Sequence, residues 1–266
     1  VKYIVSRENP RFKALKKLCQ SGRERRKARQ IVLDGMHLVE SLLASGRSPL
    51  EIVISDAGKA RSEIARFLET GEKCSSVICL SDALFAELAP VETPSGILAI
   101  ASMPDEAMRV DLAGDAVLLD GVQDPGNVGS ILRSAAAAGF RQVLLSEDCA
   151  QVWSPKVLRA GMGAHFLLNL HESVRLPEFL NEYRGLSMAT ALGADSTGLY
   201  EQRLQGAVAW VFGSEGAGVC PDVMASVARR VRIPMPGGCE SLNVAAAAAV
   251  CLFETVRQRN LAPVSC

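Results

Sequence analysis

Three stretches of the chain set glycine beside carboxylate, amide or hydroxyl side chains directly after an apolar run. The first is Asp120-Gly121-Val122-Gln123-Asp124-Pro125-Gly126-Asn127-Val128-Gly129-Ser130, continuing as Ile131-Leu132-Arg133. Strand, glycine-rich loop and helix in that order let a backbone approach a ligand closely and aim free helix N–H groups at an anion. Neither GxGxxG nor GxxxxGK followed by Ser or Thr is present, so neither nucleotide fingerprint is met. Arg133 lies six residues past Asn127 on the same helix. The expectation is that this helix carries Arg133 inward, where a guanidinium needs a partner or a ligand. The second stretch is Phe212-Gly213-Ser214-Glu215-Gly216-Ala217-Gly218, three glycines after a buried run. The third is Ile233-Pro234-Met235-Pro236-Gly237-Gly238-Cys239-Glu240-Ser241-Leu242-Asn243-Val244, which leads into an alanine-rich helix. Ser241 can cap that helix, and the irregular loop before it can offer backbone N–H and C=O groups to an adenine. Taken singly, each stretch is also what a tight turn or a capped helix requires.

The elements that must position these loops follow from periodicity. Strands are expected at Ala116–Leu119, Val143–Leu145, Leu186–Ala191, Ala207–Phe212 and Arg230–Ile233, with helices at about 128–138 and 241–259. Short apolar strands alternating with helices imply a parallel α/β sheet covered on both faces, and ligands of such sheets bind beyond the strands' carboxyl ends. Residues 102–114 are polar, with Pro104 and Gly114, and read as a linker. Before them lies a second α/β unit. Its strands are read at Ile52–Ile54, Val77–Leu80 and Ile97–Ile100, with a short apolar run at Ile31–Leu33. Helices are read at 36–43, 59–70 (ended by Gly71) and 82–88. The domain reading is therefore 1–101, a linker at 102–114, and 115–266.

Composition narrows the function classes. Of 266 residues, 48% are hydrophobic and 22% charged, a globular balance. Aromatic residues are only 5%, so stacking platforms for bases are not an evident feature. The longest apolar run, Val244–Phe253, is far shorter than the roughly 18 residues needed to span a bilayer. No membrane association and a cytoplasmic location are expected. The zero formal net charge hides an asymmetry: residues 1–30 hold eleven Lys and Arg against Glu8 and Glu24, while the remainder holds 18 bases and 27 acids. A basic arm at 1–30 on an acidic body points to a polyanion partner, although such runs also occur as solvated helices. The eight cysteines include no CxxC pair and there are only three histidines, so no metal site is expected.

In this order and spacing, Asn127-x5-Arg133, then FGSEGxG from Phe212, then IPMxGxxESLNV from Ile233 resemble the three signature motifs of SpoU-type (TrmH-like) RNA 2′-O-ribose methyltransferases, of the SPOUT superfamily. The resemblance covers about residues 115–260. More weakly, Gln30–Gly35, His37–Glu40 and Thr93–Ala99 are similar to the family's substrate-binding domain. Departures are small: Ala245 stands where many relatives have Ser, and Gly238-Cys239 are variable positions.

The resemblance implies a C-terminal parallel-sheet α/β trefoil-knot domain and a smaller N-terminal α/β substrate-binding domain. It implies S-adenosyl-L-methionine as cofactor, with adenine near Ile233, Met235 and Leu242. Gly213 and Gly216 would line the same pocket, Ala191-Leu192-Gly193 would close it, and Ser241 would contribute. Glu215 and Asn243 would orient the motifs. Arg133 would be the central catalytic residue, helped by Asn127, Ser241 and Asn243, as a general base or as an electrostatic stabiliser; a free guanidinium stays protonated to roughly pH 12, which favours the second role. A homodimer through the catalytic domain is implied, and RNA as substrate, ribosomal rather than transfer RNA. The competing reading is an RNA-binding protein of the same fold without catalysis. A nucleotide-dependent oxidoreductase lacks its fingerprint.

Overall fold

Asn9 and Pro10 start the first helix: the Asn9 side chain accepts the Arg11 N–H at 2.9 Å, and Pro10 takes the first turn, where no N–H is needed. The computed structural model describes residues 1–69, 76–89, 94–104, 109–193, 195–238 and 240–261. Gly71, Cys74, Thr93, Cys239, Cys266 and part of the expected linker lie outside these. The chain divides into two compact units, one of Val1–Asp105 with Trp153–Phe166, the other of Glu106–Val152 with Leu167–Cys266.

The first unit runs β1 (Lys2–Ile4), α1 (Pro10–Gln20), α2 (Gly22–Ala28), β2 (Gln30–Asp34), α3 (Met36–Ala44), β3 (Glu51–Ser55), α4 (Asp56–Lys59), α5 (Ser62–Glu69), β4 (Val77–Leu80), α6 (Asp82–Leu88) and β5 (Ile97–Ser102). Its sheet has the order β1-β4-β3-β5-β2, with β5 antiparallel to both neighbours and the other pairings parallel. Both faces are covered. Val32 of β2 joins Phe12, Leu15 and Leu18 of α1 on one face, while Ile31 and Leu33 meet Leu38, Val39 and Leu42 of α3 on the other.

Residues 1–30 are therefore not an arm. Phe12, Leu15, Leu18 and Cys19 are buried, so the segment is part of the core, and four of its bases are paired with acids. A second difference concerns α8 (Pro155–Gly161), which the sequence reading left unassigned inside 115–266. It packs in the first unit, with Leu158 fully buried beside Ile31 and Leu33 and Arg159 paired with Asp34. The reason is apolar burial: Leu158 completes a cluster seeded by β2 and α3.

The second unit runs β6 (Ala116–Asp120), α7 (Pro125–Ala137), β7 (Gln142–Leu145), β8 (Asn169–His171), α9 (Leu176–Glu182), β9 (Leu186–Thr190), β10 (Thr197–Gly198), β11 (Val208–Gly213), α10 (Pro221–Ser226), β12 (Arg229–Arg232) and α11 (Val244–Leu261). The sheet is parallel, in the order β10-β12-β9-β11-β6-β7-β8. Every residue of β6 and β11 is buried, as central parallel strands require. Helix α7 starts at Pro125 rather than near 128, because Asp124 accepts the Asn127 N–H at 2.7 Å. Helix α11 starts at Val244, and its cap is Asn243 rather than Ser241: the Asn243 Oδ1 accepts from the Ala245 and Ala246 N–H groups at 3.0 and 3.3 Å. Among the described residues no helix is long and apolar enough to cross a membrane.

Candidate active site

The loops that follow β9, β11 and β12, with the start of α11, surround a cavity of about 600 Å³ at the carboxyl edge of the parallel sheet. This lies within the ~300–1,000 Å³ of small-molecule sites. Its walls mix backbone from glycine-rich turns with the side chains of Leu192, Ile233, Met235 and Leu242.

Glycine is required where β11 gives way to its loop. A Cβ on Gly213 would lie 2.1 Å from the Gly218 carbonyl carbon and 2.2 Å from the Val219 nitrogen. Those are backbone atoms that cannot step aside. The loop then closes on itself: the Ser214 and Gly218 backbones exchange hydrogen bonds at 3.1 and 2.9 Å, and Gly218 takes φ +69°. Its return is anchored by Asp120, at the end of β6, whose carboxylate accepts the Cys220 N–H at 2.6 Å.

At the rim three side chains meet, from the first turn of α7, the loop after β11 and the residue that caps α11. The Asn127 amide donates to Glu215 Oε1 at 3.0 Å. The Asn243 amide donates to the same oxygen at 2.5 Å and to Asn127 Oδ1 at 2.9 Å. Since Asn243 Oδ1 also caps α11, one asparagine fixes the helix and joins the loops after β6 and β11. The carboxylate is the acceptor that holds both amides, and these charge-assisted bonds are stronger than amide–amide ones.

Of the sequence-expected residues, Ala191, Leu192, Gly213, Glu215 and Gly216 line the cavity, as do Ile233, Met235, Ser241, Leu242 and Asn243. Asn127 reaches it through the triangle. Gly193 is not among the lining residues; its carbonyl accepts the Ser196 N–H at 3.1 Å, so it serves the turn that follows β9. Arg133 does not line the cavity either. The core side of α7 is Val128, Ile131, Leu132 and Ala135, and Arg133 stands with Ser130 and Ala137 on the exposed side, contrary to the inward expectation. Among the described residues it has no hydrogen-bond or ion-pair partner. Sequence reading missed Thr190 and Met224 as lining residues. Thr190 ends a parallel strand, which is a usable signal; Met224 sits on the six-residue α10, which leaves no periodic pattern.

Cys149 lies under the first loop, where its Sγ donates to the Leu119 carbonyl at 3.2 Å, and burial pushes its thiol up from the ordinary range. It is a packing residue, not a nucleophile. No group of three or more His, Cys, Asp or Glu placed to hold a metal ion occurs among the described residues.

A parallel sheet whose carboxyl-edge loops enclose such a cavity, rimmed by amide and carboxylate groups, defines an open α/β protein with a small-molecule site at its strand ends. The model of the SpoU rRNA methylase family matches residues 115–253, and that of the MRM3-like substrate-binding domain matches 9–99. A 23S rRNA (guanosine(2553)-2′-O)-methyltransferase, RlmP of Bacillus subtilis, is 34% identical over 95% of this chain and 98% of its own length. A 23S rRNA (guanosine-2′-O-)-methyltransferase, RlmB of Bordetella pertussis, is 32% identical over 86% of this chain and 97% of its own. The SpoU methyltransferase AviRb of Streptomyces viridochromogenes, solved with AdoMet, superposes with TM-score 0.85 at 27% identity, covering 96% of this chain and 99% of that one. The chain belongs to the SpoU rRNA methylase family, and so to the S-adenosylmethionine-dependent RNA 2′-O-methyltransferases.

Proposed function

We propose that this chain methylates a ribose 2′-hydroxyl of large-subunit ribosomal RNA, in the cytoplasm and as a homodimer, using the cavity beside Gly213 for the cofactor. The observation that carries the reading is the Asn127–Glu215–Asn243 triangle, which unites the three signature loops at the rim of that cavity. The ribosomal substrate is supported by the named activities of the full-length relatives.

The cavity fits S-adenosylmethionine. The turn of Gly213, Gly216 and Gly218 lines one wall, and Ile233, Met235 and Leu242 give an adenine ring an apolar bed. The bound sulfonium supplies an already activated methyl group. The chain's residues therefore have two tasks, to hold a ribose 2′-oxygen in line and to manage one proton and the charge that builds on that oxygen. Asn127 and Asn243, held by Glu215, fix the loop from which α7 departs, and Ser241 offers a hydroxyl at the same rim. Arg133, about one and two-thirds turns past Asn127 on α7, is the cation for the adjacent phosphate and the developing alkoxide.

Dimerisation is supported by Phe253 of α11, which is 48% exposed, and by Ala246 on an open side of the same helix. The alanine run is not devoted to a partner: Ala248 is fully buried and Ala247 lines the cavity. The trefoil knot belongs to the same proposal. Its support is the chain path, which runs from β12, three places from β6 beyond β9 and β11, back to α11 against α7 and β11.

Mapping of 2′-O-methylation in ribosomal RNA from cells with and without the protein tests the substrate. Loss of one ribose methyl group in 23S ribosomal RNA is expected; an unchanged map refutes the reading. Light scattering should give twice the chain mass at micromolar concentration, and a monomer would remove the dimer from the proposal.

A further inference from the structure

The positive charge of residues 1–30 is unevenly used. Arg7 and Lys16 both hold Glu87, Arg11 holds the buried Glu51, and Lys13 holds Glu8. Asp34, on the neighbouring β2, is occupied by Ser95 and Arg159. Four of the six bases up to Lys17 are thus engaged within the unit, while Lys2 and Lys17 stand exposed and singly. In α2 the situation reverses. Arg25 turns inward, 5% exposed, and donates to the Leu18 and Cys19 carbonyls at 2.8 and 3.2 Å. That bond fastens α2 to the end of α1. Ser21 caps the helix by accepting the Glu24 N–H at 3.3 Å, and Arg29 closes it in the left-handed conformation. With Arg25 committed to one side, the opposite side presents Arg23, Arg26 and Lys27. All three are exposed, and none has a hydrogen-bond or ion-pair partner among the described residues. Positions i, i+3 and i+4 share one helical face, with Cβ atoms about 5–6 Å apart. Three exposed, unpaired cations on a helix face anchored through Arg25 suit the phosphate backbone of a nucleic acid.

We propose that Arg23, Arg26 and Lys27 form a docking face for the phosphate backbone of the substrate RNA. This rests on the methyltransferase reading above and names where its RNA is gripped. Such contacts position the nucleic acid without reading its sequence, so they act on affinity and not on the chemical step.

The test uses the full chain and an unmodified transcript of 23S ribosomal RNA. In the triple variant Arg23→Gln/Arg26→Gln/Lys27→Gln, the slope of log affinity against log salt should fall by about 2–3, roughly one per lost phosphate contact. The KM for RNA should rise roughly tenfold or more at moderate salt while kcat at saturating RNA and cofactor affinity hold. Lys13→Gln, which removes a cation already held by Glu8, should leave the slope unchanged. A folded triple variant with the wild-type slope and KM, while the wild type methylates the transcript, overturns the docking face alone. A wild type that neither binds nor methylates it overturns the docking face together with the functional reading.

Discussion

Arg133 stands on the exposed side of α7 with no partner inside the described chain, and that placement argues against a structural role for it. A structural arginine would cost stability when removed; an exposed, unpaired one changes it by only about 0.5 kcal/mol. Arg133→Ala should therefore melt like wild type and bind cofactor normally, while methyl transfer falls roughly 100–1,000-fold. Lysine should rescue poorly, because one ammonium does not reproduce a planar fork. A variant that methylates at near the wild-type rate would remove Arg133 from the mechanism. Asn243 allows a second test. Asn243→Asp keeps a good helix cap but sets a carboxylate against Glu215, 2.5 Å from where an amide now donates. The two carboxylates repel, and the donations to Glu215 and Asn127 are lost together, so cofactor affinity should fall in calorimetry while the helix cap is kept. Affinity equal to wild type would mean that these side chains do not hold the cavity rim. At this scale the sequence was informative for residue types in contiguous motifs, and misleading for direction. Nothing in Asn127-x5-Arg133 says which side of a helix faces solvent until the neighbours that fill the core are known. Ser241 and Asn243 are equally good caps by type, and only the backbone path chooses Asn243.

Elements here succeed or fail by backbone clearance. The turn from β11 into the Ser214–Gly218 loop brings two backbone segments so close that Gly213→Ala puts a methyl group into the Gly218 carbonyl. The loop must shift, and with it one wall of the cavity. Gly213→Ala should lower the melting temperature and abolish measurable cofactor binding in calorimetry. Gly216→Ala is the matched control: nothing lies within 4 Å of its Cβ, so the variant should melt like wild type. Equal damage from both would show that flexibility, not clearance, is what these glycines supply. Long central elements were legible in the sequence. The runs at Ala116–Leu119 and Ala207–Phe212 announce buried parallel strands because both of their faces must be apolar. The elements that escaped notice, such as β8, β10 and α10, have three, two and six residues. They are too short for any periodicity, and tertiary pairing alone defines them.

For the whole molecule, the informative fact is that α8 is built from the sequence of one half and completes the core of the other. Leu158 is fully buried among Ile31, Leu33 and Val39. Leu158→Ala should destabilise the first unit by roughly 2–5 kcal/mol. Hydrogen exchange should quicken in β2, β3 and β5, while β6 and β11 stay protected and cofactor affinity is unchanged. Slower exchange in the first unit than in the second would contradict the assignment of this helix. No periodic signal distinguishes Pro155–Gly161 from a helix that serves its own half, since burial of seven residues is decided by whatever surface they meet. The chain consequently passes between its two units three times, near 105, 152 and 166. That makes the N-terminal half a poor cassette. Exchange at a single junction, by recombination or by design, would carry away residues 1–105 and leave behind the helix fitted to them. A chimera that borrows a relative's first hundred residues should fold well only when it also borrows that relative's counterpart of 153–166, so the N-terminal half is inherited in two pieces that must match.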